Sequence, residues 1–297
     1  SDRTMSCAVG NGILFVVAGG GSSNRICKAD LLVSSTCTTV ASVTNPHQIA
    51  LPESRDVIYV TERGQNRVRR LRLKADNTLL SSDVAVEGIT LARGLAVSRD
   101  GTVLYVGEDA QAGADKIWKV VVSASGTSTN KVAIATGLDR VLGLVLNRAE
   151  TVLYASEYAR KNIVRIELVS GSYGKTTLVS GMARAPLGLA LPAAEDRLLI
   201  ASNAGYIVTL APLPPVVYDL VSGVVNAQDV SLAQGDQMAY VASYFQKKVY
   251  LVDLESKAVT TLTTTSGGAI SCAMGNGVLF VADQGSNLIC KADLLVS

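Results

Sequence analysis

The sequence contains few of the residues and patterns that mark several protein classes. Aromatic residues make up 5% of the 297 residues, and His47 is the single histidine. The formal net charge of +2 gives no strong attraction to nucleic acid or to an anionic membrane surface. No apolar run approaches the ~18 residues that a transmembrane helix needs. We therefore predict neither a nucleic-acid partner nor a membrane segment.

Helical periodicity is also missing, and the apolar residues come in short runs of roughly four to seven. Gly, Ser, Asn and Asp residues separate these runs. Such runs are typical of strands that are buried on both faces of a sheet. The sequence therefore predicts an all-β protein with no linker and no second domain.

A repeat of roughly 41 to 49 residues organises the chain. Its clearest copies, Ser6–Ser34 and Ser271–Ser297, share about 22 of 27 positions. In the copy that begins at Gly94, a strand leads through Asp100-Gly101 to a second strand, and two more strands follow. Asp-Gly favours a tight hairpin because glycine tolerates positive φ. Each repeat therefore predicts one four-stranded antiparallel sheet.

One such sheet cannot bury its two apolar faces alone, whereas radial stacking in a closed ring buries both. We predict a single β-propeller over residues 1–297, with blades at about 6–45, 46–91, 92–140, 141–184, 185–225, 226–268 and an incomplete 269–297. We favour closure with seven blades. Alternatively, six blades close, and the last segment begins a second propeller or swaps between copies.

Two segments carry a family resemblance: GLAVSRDGTVLYVGED at Gly94–Asp109 and VTERGQNRVRRLRL at Val60–Leu73 resemble NHL repeats. The resemblance is loose, extends over nearly the whole chain, and implies a propeller of six or more blades. The pattern is also similar to lactonase-like and strictosidine-synthase-like propellers. The zinc site of amidating-lyase members of the NHL group needs several histidines, which this chain lacks. The metal ligands of lactonase-like propellers find no residue-by-residue match.

One loop position, after the second strand, carries Glu62, Glu108 and Glu157 on successive blades. These carboxylates could attract a cation or a basic peptide. Alternatively, each one caps the turn that follows it.

Aromatic residues occupy the same loops in later blades, among them Tyr158, Tyr244 and Phe245. Exposed aromatic rings beside charges are typical of protein or glycan contact surfaces, although each ring could instead pack against the adjacent blade. His47 and Arg93 begin inner strands, which places them at the mouth of the central channel. No nucleophile motif accompanies His47, so we do not predict a catalytic histidine.

Cys27 and Cys37 flank a turn between the third and fourth strands of the first blade and are a candidate disulfide. Such a bond would favour an extracellular or cell-surface location. Alternatively, all five cysteines serve packing, as we expect for Cys7 and Cys272 on inner strands. The arginine-rich run Arg67–Arg72 is interpreted as a solvated outer edge, where charge opposes edge-to-edge pairing.

The sequence thus predicts a non-catalytic module that binds a protein or glycan, or acts as a scaffold, through one face of the propeller, and that could belong to a larger tandem-repeat protein. The predicted contact residues are Glu62, Glu108, Glu157, Tyr158, Tyr244, Phe245, His47 and Arg93. No catalytic residue, cofactor or metal ligand is predicted. The alternative is a metal-dependent lactonase or hydrolase that holds an ion in the channel with several side-chain oxygens.

Overall fold

A computed structural model shows a protein built almost entirely of β-strands. It describes residues 6–10, 13–18, 24–30, 38–54, 56–110, 113–169, 172–202, 207–210, 217–221, 224–233, 235–265, 267–275, 278–283 and 288–293. In these ranges the one helical segment is a 3₁₀ turn at Arg63–Gln65. No helix among the described residues has the length and apolarity to cross a membrane.

The first four sheets account for sixteen strands in chain order. Blade 1 consists of β1 (Ser6–Gly10), β2 (Ile13–Ala18), β3 (Arg25–Asp30) and β4 (Thr38–Ser42). Blade 2 consists of β5 (Pro46–Ala50), β6 (Val57–Glu62), β7 (Arg67–Leu73) and β8 (Leu79–Glu87). Blade 3 consists of β9 (Leu95–Val97), β10 (Val103–Gly107), β11 (Asp115–Val121) and β12 (Lys131–Leu138). Blade 4 consists of β13 (Val141–Leu146), β14 (Val152–Glu157), β15 (Asn162–Glu167) and β16 (Lys175–Val179).

The remaining three sheets continue the same antiparallel order. Blade 5 consists of β17 (Pro186–Ala190), β18 (Leu198–Ser202), β19 (Ile207–Leu210) and β20 (Val217–Val221). Blade 6 consists of β21 (Ala227–Leu232), β22 (Met238–Ser243), β23 (Lys248–Asp253) and β24 (Val259–Thr264). Blade 7 has three strands among the described residues, β25 (Ala269–Gly275), β26 (Val278–Asp283) and β27 (Leu288–Asp293).

The seven sheets form a closed ring. The first strand of each blade is innermost and contacts the first strand of the next blade, in the order β1, β5, β9, β13, β17, β21, β25. Strand β25 in turn contacts β1, and the backbone N–H of Cys7 donates to Ser271 Oγ at 3.3 Å across that junction. The predicted propeller of four-stranded antiparallel blades is therefore confirmed, and its ring closes with the three-stranded blade.

The apolar core lies between neighbouring blades rather than inside one sheet. Ile58 and Val60 of β6 pack in a cluster with side chains of blade 1, whereas Tyr59 between them packs with blade 3. Successive side chains of a strand point to opposite faces, so an uninterrupted apolar run supplies two interfaces at once. Full burial of such a side chain contributes about 1.5–3 kcal/mol to folding. This is why the strands appear in the sequence as short continuous apolar runs.

Hairpin turns at the end of the ring opposite the loops between blades also link neighbouring blades. Gly101 has φ +75°, as the Asp-Gly turn predicted. Glu150, Glu195 and Asp236 occupy the equivalent positions of the next three blades, with φ between +52° and +56°. Each carboxylate accepts a backbone N–H from the turn of the preceding blade, for example that of Arg99 at 2.6 Å from Glu150 Oε1. A charged hydrogen bond of about 1.5–3 kcal/mol offsets the cost of a left-handed, non-glycine residue.

The arginine-rich strand is not an outer edge, so that interpretation of the sequence is wrong. Strand β7 lies between β6 and β8. The Arg70 side chain is buried, pairs with Asp83, and donates to the carbonyl of Gly126 in blade 3 at 3.2 Å. The arginine therefore cross-links two blades, a role that depends on the neighbouring blade and that strand charge alone does not indicate.

Candidate functional site

The loops that carry most predicted contact residues lie at one end of the ring. Because the four strands of a blade are antiparallel, the loop after the second strand and the connection to the next blade share that end. Backbone hydrogen bonds join the two kinds of loop. The N–H of Arg63 donates to Asn45 O at 3.1 Å, and the N–H of Tyr244 donates to Asn226 O at 3.1 Å. We call this end the loop face.

The three glutamates lie at the loop face but are buried within it. Glu62 accepts the backbone N–H of Thr44 at 2.6 Å, and Glu108 accepts that of Thr90 at 3.3 Å, each from the connection that enters its blade. All three also bind side chains of their own blades, namely Arg67, Arg69, Trp118, Arg160 and Asn162. Glu62, Glu108 and Glu157 are therefore buried and hydrogen-bonded, which agrees with the capping alternative, while their role in binding a partner stays a prediction.

An apolar cluster projects from the loop face at blade 6. The Tyr244 ring lies against the backbone of Gly268 and meets the Phe245 ring edge to face, with 5.4 Å between centroids. Phe245 is 68% exposed, and Val225 is 45% exposed. The Val225 N–H donates to the side chain of Gln246, in the same loop as the two rings, at 2.7 Å. We call Val225, Tyr244 and Phe245 the aromatic patch.

A cluster of arginines surrounds one buried carboxylate at the other side of the loop face. Asp109 accepts hydrogen bonds from Arg63 Nε at 3.2 Å, Arg93 Nη1 at 2.8 Å and Arg140 Nε at 2.9 Å. Burial raises the pKa of Asp109, but the guanidinium groups of Arg93 and Arg140 outweigh it and the net shift is downward. The Arg140 guanidinium also lies over the Tyr158 ring, 4.9 Å from its centroid. We call Asp109 and its three arginines the arginine cluster.

Sequence reasoning identified only Arg93 of this cluster. Asp109 ends one of the two NHL-like segments, and the sequence pattern indicated no role for Arg63 or Arg140. The three arginines come from three different loops, and the packing of blades 2, 3 and 4 against one another brings them to the same carboxylate. The available signal was a basic residue just before the first strand of blades 3 and 4, at Arg93 and Arg140.

His47 lies in the channel wall beside Arg93, at the second position of β5. It is buried, and burial lowers its pKa well below the usual value. The positive charges of Arg93 and Arg63 also lower the pKa of His47, and together with burial they outweigh the upward effect of Asp109. The imidazole is therefore neutral at pH 7, and the positive charge at this side of the channel comes from arginine.

The central channel contains a cavity of about 120 Å³. On blades 4 and 5 its wall consists of leucine and glycine residues, namely Leu142, Gly143, Leu144, Leu187, Gly188 and Leu189. A Cβ added to Gly143 would lie 2.4 Å from the carbonyl oxygen of Leu187, so only glycine allows the two inner strands to approach this closely. This wall therefore consists of apolar leucine side chains and of glycine backbone that no side chain covers.

A carboxylate lines the cavity at blade 6. The Ser271 hydroxyl donates to Asp229 Oδ2 at 2.7 Å and accepts the backbone N–H of Cys7 at 3.3 Å. Burial raises the pKa of Asp229 to about 6, and the hydrogen bond from Ser271 opposes that shift. The side chain stays partly accessible from the cavity. Sequence reasoning recognised Asp229 only as the start of an inner strand.

The cysteine and metal predictions are only partly covered by the described residues. Cys27 is disulfide-bonded and buried. Its predicted partner Cys37 lies outside the described residues, so that pairing stays a prediction. Cys7 and Cys272 are free thiols on inner strands. Within the described part of the chain, no group of three His, Cys, Asp or Glu residues could hold a metal ion.

Comparison with known proteins gives the fold and no more. No protein-family model and no curated protein sequence matches the chain. Among solved structures, hydrazine synthase from Kuenenia stuttgartiensis is similar at 11% identity with a TM-score of 0.81, over 99% of this chain and 96% of that one. Virginiamycin B lyase from Staphylococcus aureus is similar at 10% identity with a TM-score of 0.77, over 99% and 95%. These likenesses support a β-propeller, while NHL membership itself is not confirmed.

Proposed function

We propose that this propeller is a non-catalytic binding module that docks a partner protein on its loop face through the aromatic patch. The observation that carries the proposal is the 68% exposure of Phe245 in a chain with only three phenylalanines. Large exposed aromatic side chains that cluster are typical of interface hot spots.

The shape of the patch supports docking. Tyr244 is held against the backbone of Gly268, so its ring is already positioned before a partner arrives. Phe245 projects beside it, and Lys247 in the same loop and Lys248 at the start of β23 supply a polar rim. An apolar centre with a charged rim is the common anatomy of protein interfaces. A preorganised centre also reduces the entropy lost on binding.

The fold is compatible with binding and with catalysis, since the two similar structures are a lyase and a synthase. Function must therefore be argued from the surface rather than from the ring. The loop face supplies a fixed apolar patch, whereas the three glutamates that could have attracted a cation are engaged in hydrogen bonds.

The experiment compares Phe245→Ser with Val169→Ser as its matched control. Val169 is 61% exposed and follows β15, at the end opposite the loop face. Immobilised wild-type protein and both variants are incubated with an extract of the source cells, and bound proteins are quantified by mass spectrometry. The retained partner is then purified and its affinity measured directly.

We expect a specific partner that binds wild type and Val169→Ser alike and binds Phe245→Ser at least about 30-fold more weakly, as for a hot spot of 2 kcal/mol. Equal affinity for both variants would refute the proposal. A glycan array run with the same three proteins tests the other ligand class. Glycan binding lost only in Phe245→Ser would replace the protein partner by a carbohydrate.

A further inference from the structure

The channel cavity has opposite charges on opposite walls. Arg93 is at the start of blade 3 and Asp229 is on blade 6, and both line the cavity. Three steps separate these blades in one direction around a seven-blade ring and four in the other, so the two residues face each other across the axis. The intervening wall, on blades 4 and 5, carries leucine and glycine.

The carboxylate at one wall lacks a compensating cation. Asp229 is held by the Ser271 hydroxyl at 2.7 Å and by the backbone N–H of Val230 at 3.0 Å, and no ion pair joins it to any other residue that the structure describes. Buried charges in proteins are normally paired, because removing an ion from water is costly. A cationic group in the cavity would supply the missing partner.

The opposite wall presents excess positive charge. Arg93 uses Nη1 to bind Asp109, and this carboxylate is shared with Arg63 and Arg140. Side chains in direct contact there carry three positive charges and one negative charge. Two further carboxylates lie near Arg140: Asp115 accepts the Arg140 backbone N–H at 2.7 Å, and the charge of Asp139 acts on the Arg140 guanidinium. A guanidinium has five N–H donors, so Arg93 can also bind an anion that enters the cavity.

The size of the cavity restricts the ligand. At about 120 Å³ it is smaller than the ~300–1,000 Å³ of pockets for drug-sized molecules. Leu142 and Leu187 give the wall between the two charged residues an apolar surface. A matching molecule is therefore small, carries one anionic and one cationic group, and has a short apolar side chain.

We propose that the central channel binds a small apolar α-amino acid, with its carboxylate on Arg93, its ammonium group on Asp229 and its side chain against the leucine–glycine wall of blades 4 and 5. The proposed ligand is a zwitterion, and the site recognises both of its charges. The site is separate from the aromatic patch, so the two proposals stand or fall independently.

The test uses alanine, valine and leucine as probes in isothermal titration calorimetry at pH 7.5. Each amino acid is compared with its N-acetyl derivative, which lacks the ammonium charge, and with its amide, which lacks the carboxylate. We expect binding of at least one amino acid, and a loss of tenfold or more in affinity when either charge is removed. If none binds with a Kd below about 10 mM, or if the derivatives bind as well as the amino acid, the proposal is overturned.

Three variants connect each charge to its residue. Arg93→Gln should lower the affinity for the amino acid tenfold or more and leave the affinity for the amide unchanged. Asp229→Asn should lower the affinity for the amino acid equally and leave the affinity for the N-acetyl derivative unchanged. Arg99→Gln, in a turn at the opposite end of the ring, is the control and should change nothing. Phe245→Ser should also bind the amino acid with wild-type affinity.

Circular dichroism checks that each variant is folded. Unchanged affinity for the amino acid in folded Arg93→Gln and Asp229→Asn would refute the assignment.

Discussion

Asp229 should make the folded protein less stable as pH rises from about 4 to about 7. Its pKa is raised from 3.8 to about 6 in the folded state, so over that interval the folded protein binds more protons than the unfolded chain. The free energy of unfolding therefore decreases as pH increases through this window. A group with a lowered pKa, such as Asp109, acts in the opposite direction.

The size of the effect follows from the shift. Roughly two pKa units at 1.36 kcal/mol each give an upper limit of about 3 kcal/mol at neutral pH. Because the Asp229 side chain is partly accessible from the cavity, solvent screening should reduce this limit. We therefore expect about 1–3 kcal/mol.

The perturbation is Asp229→Asn, which keeps an oxygen acceptor for Ser271 and removes the charge. Urea unfolding of wild type and variant is measured at intervals between pH 4 and pH 7.5. The difference in free energy of unfolding should shift in favour of the variant by about 1–3 kcal/mol across this range. The contributions of other titrating groups cancel in this difference because both proteins contain them. A difference in the free energy of unfolding that does not change with pH reports altered packing only. Parallel curves would refute the reasoning.

Further predictions concern packing and covalent structure. Ser156→Ala removes a buried hydroxyl that accepts one inner-strand N–H at 2.7 Å and donates to the carbonyl of the next inner strand at 2.8 Å, and it should cost about 1–3 kcal/mol in urea unfolding. Ser202→Ala is its control, because the buried Ser202 hydroxyl has no hydrogen-bond partner among the residues that the structure describes, and equal losses would contradict the assigned bonds. Gly143→Ala should cost about 1–3 kcal/mol through overpacking, whereas Gly174→Ala, whose Cβ would meet its nearest neighbour at 3.6 Å, should be nearly neutral. Similar melting temperatures for the two glycine variants would contradict this packing. Reduction of the Cys27 disulfide with dithiothreitol should lower the melting temperature, and an unchanged value would show that the bond contributes little.

The fold was largely predictable because its signals are local. Continuous apolar runs such as Val57–Val60 predict strands with two buried faces, and the Asp100-Gly101 pair predicts a turn with positive φ. The repeat of these units along the chain then predicts stacked sheets. Each signal lies within a few residues and does not depend on the neighbouring blade.

The site was less predictable because its residues act across blades. Glu62 and Glu108 have the spacing expected of a shared acidic surface, yet each carboxylate faces loop N–H groups and is buried. Arg70 sits in a strand that resembles a solvated edge, but its guanidinium reaches the next blade. Charge type can be read from sequence, whereas the partner of each charge cannot.

The sequence by itself determined the number of blade repeats, the strands within each repeat and the position of the loops. This is because backbone preference and apolar patterning are properties of short segments. Only the tertiary structure decided that the ring closes between blade 7 and blade 1, that three arginines meet at Asp109, and that Arg93 and Asp229 face one cavity. Those pairings join residues from different blades. The packing of neighbouring blades and the closure of the ring set the distances between them, and no local preference encodes that geometry.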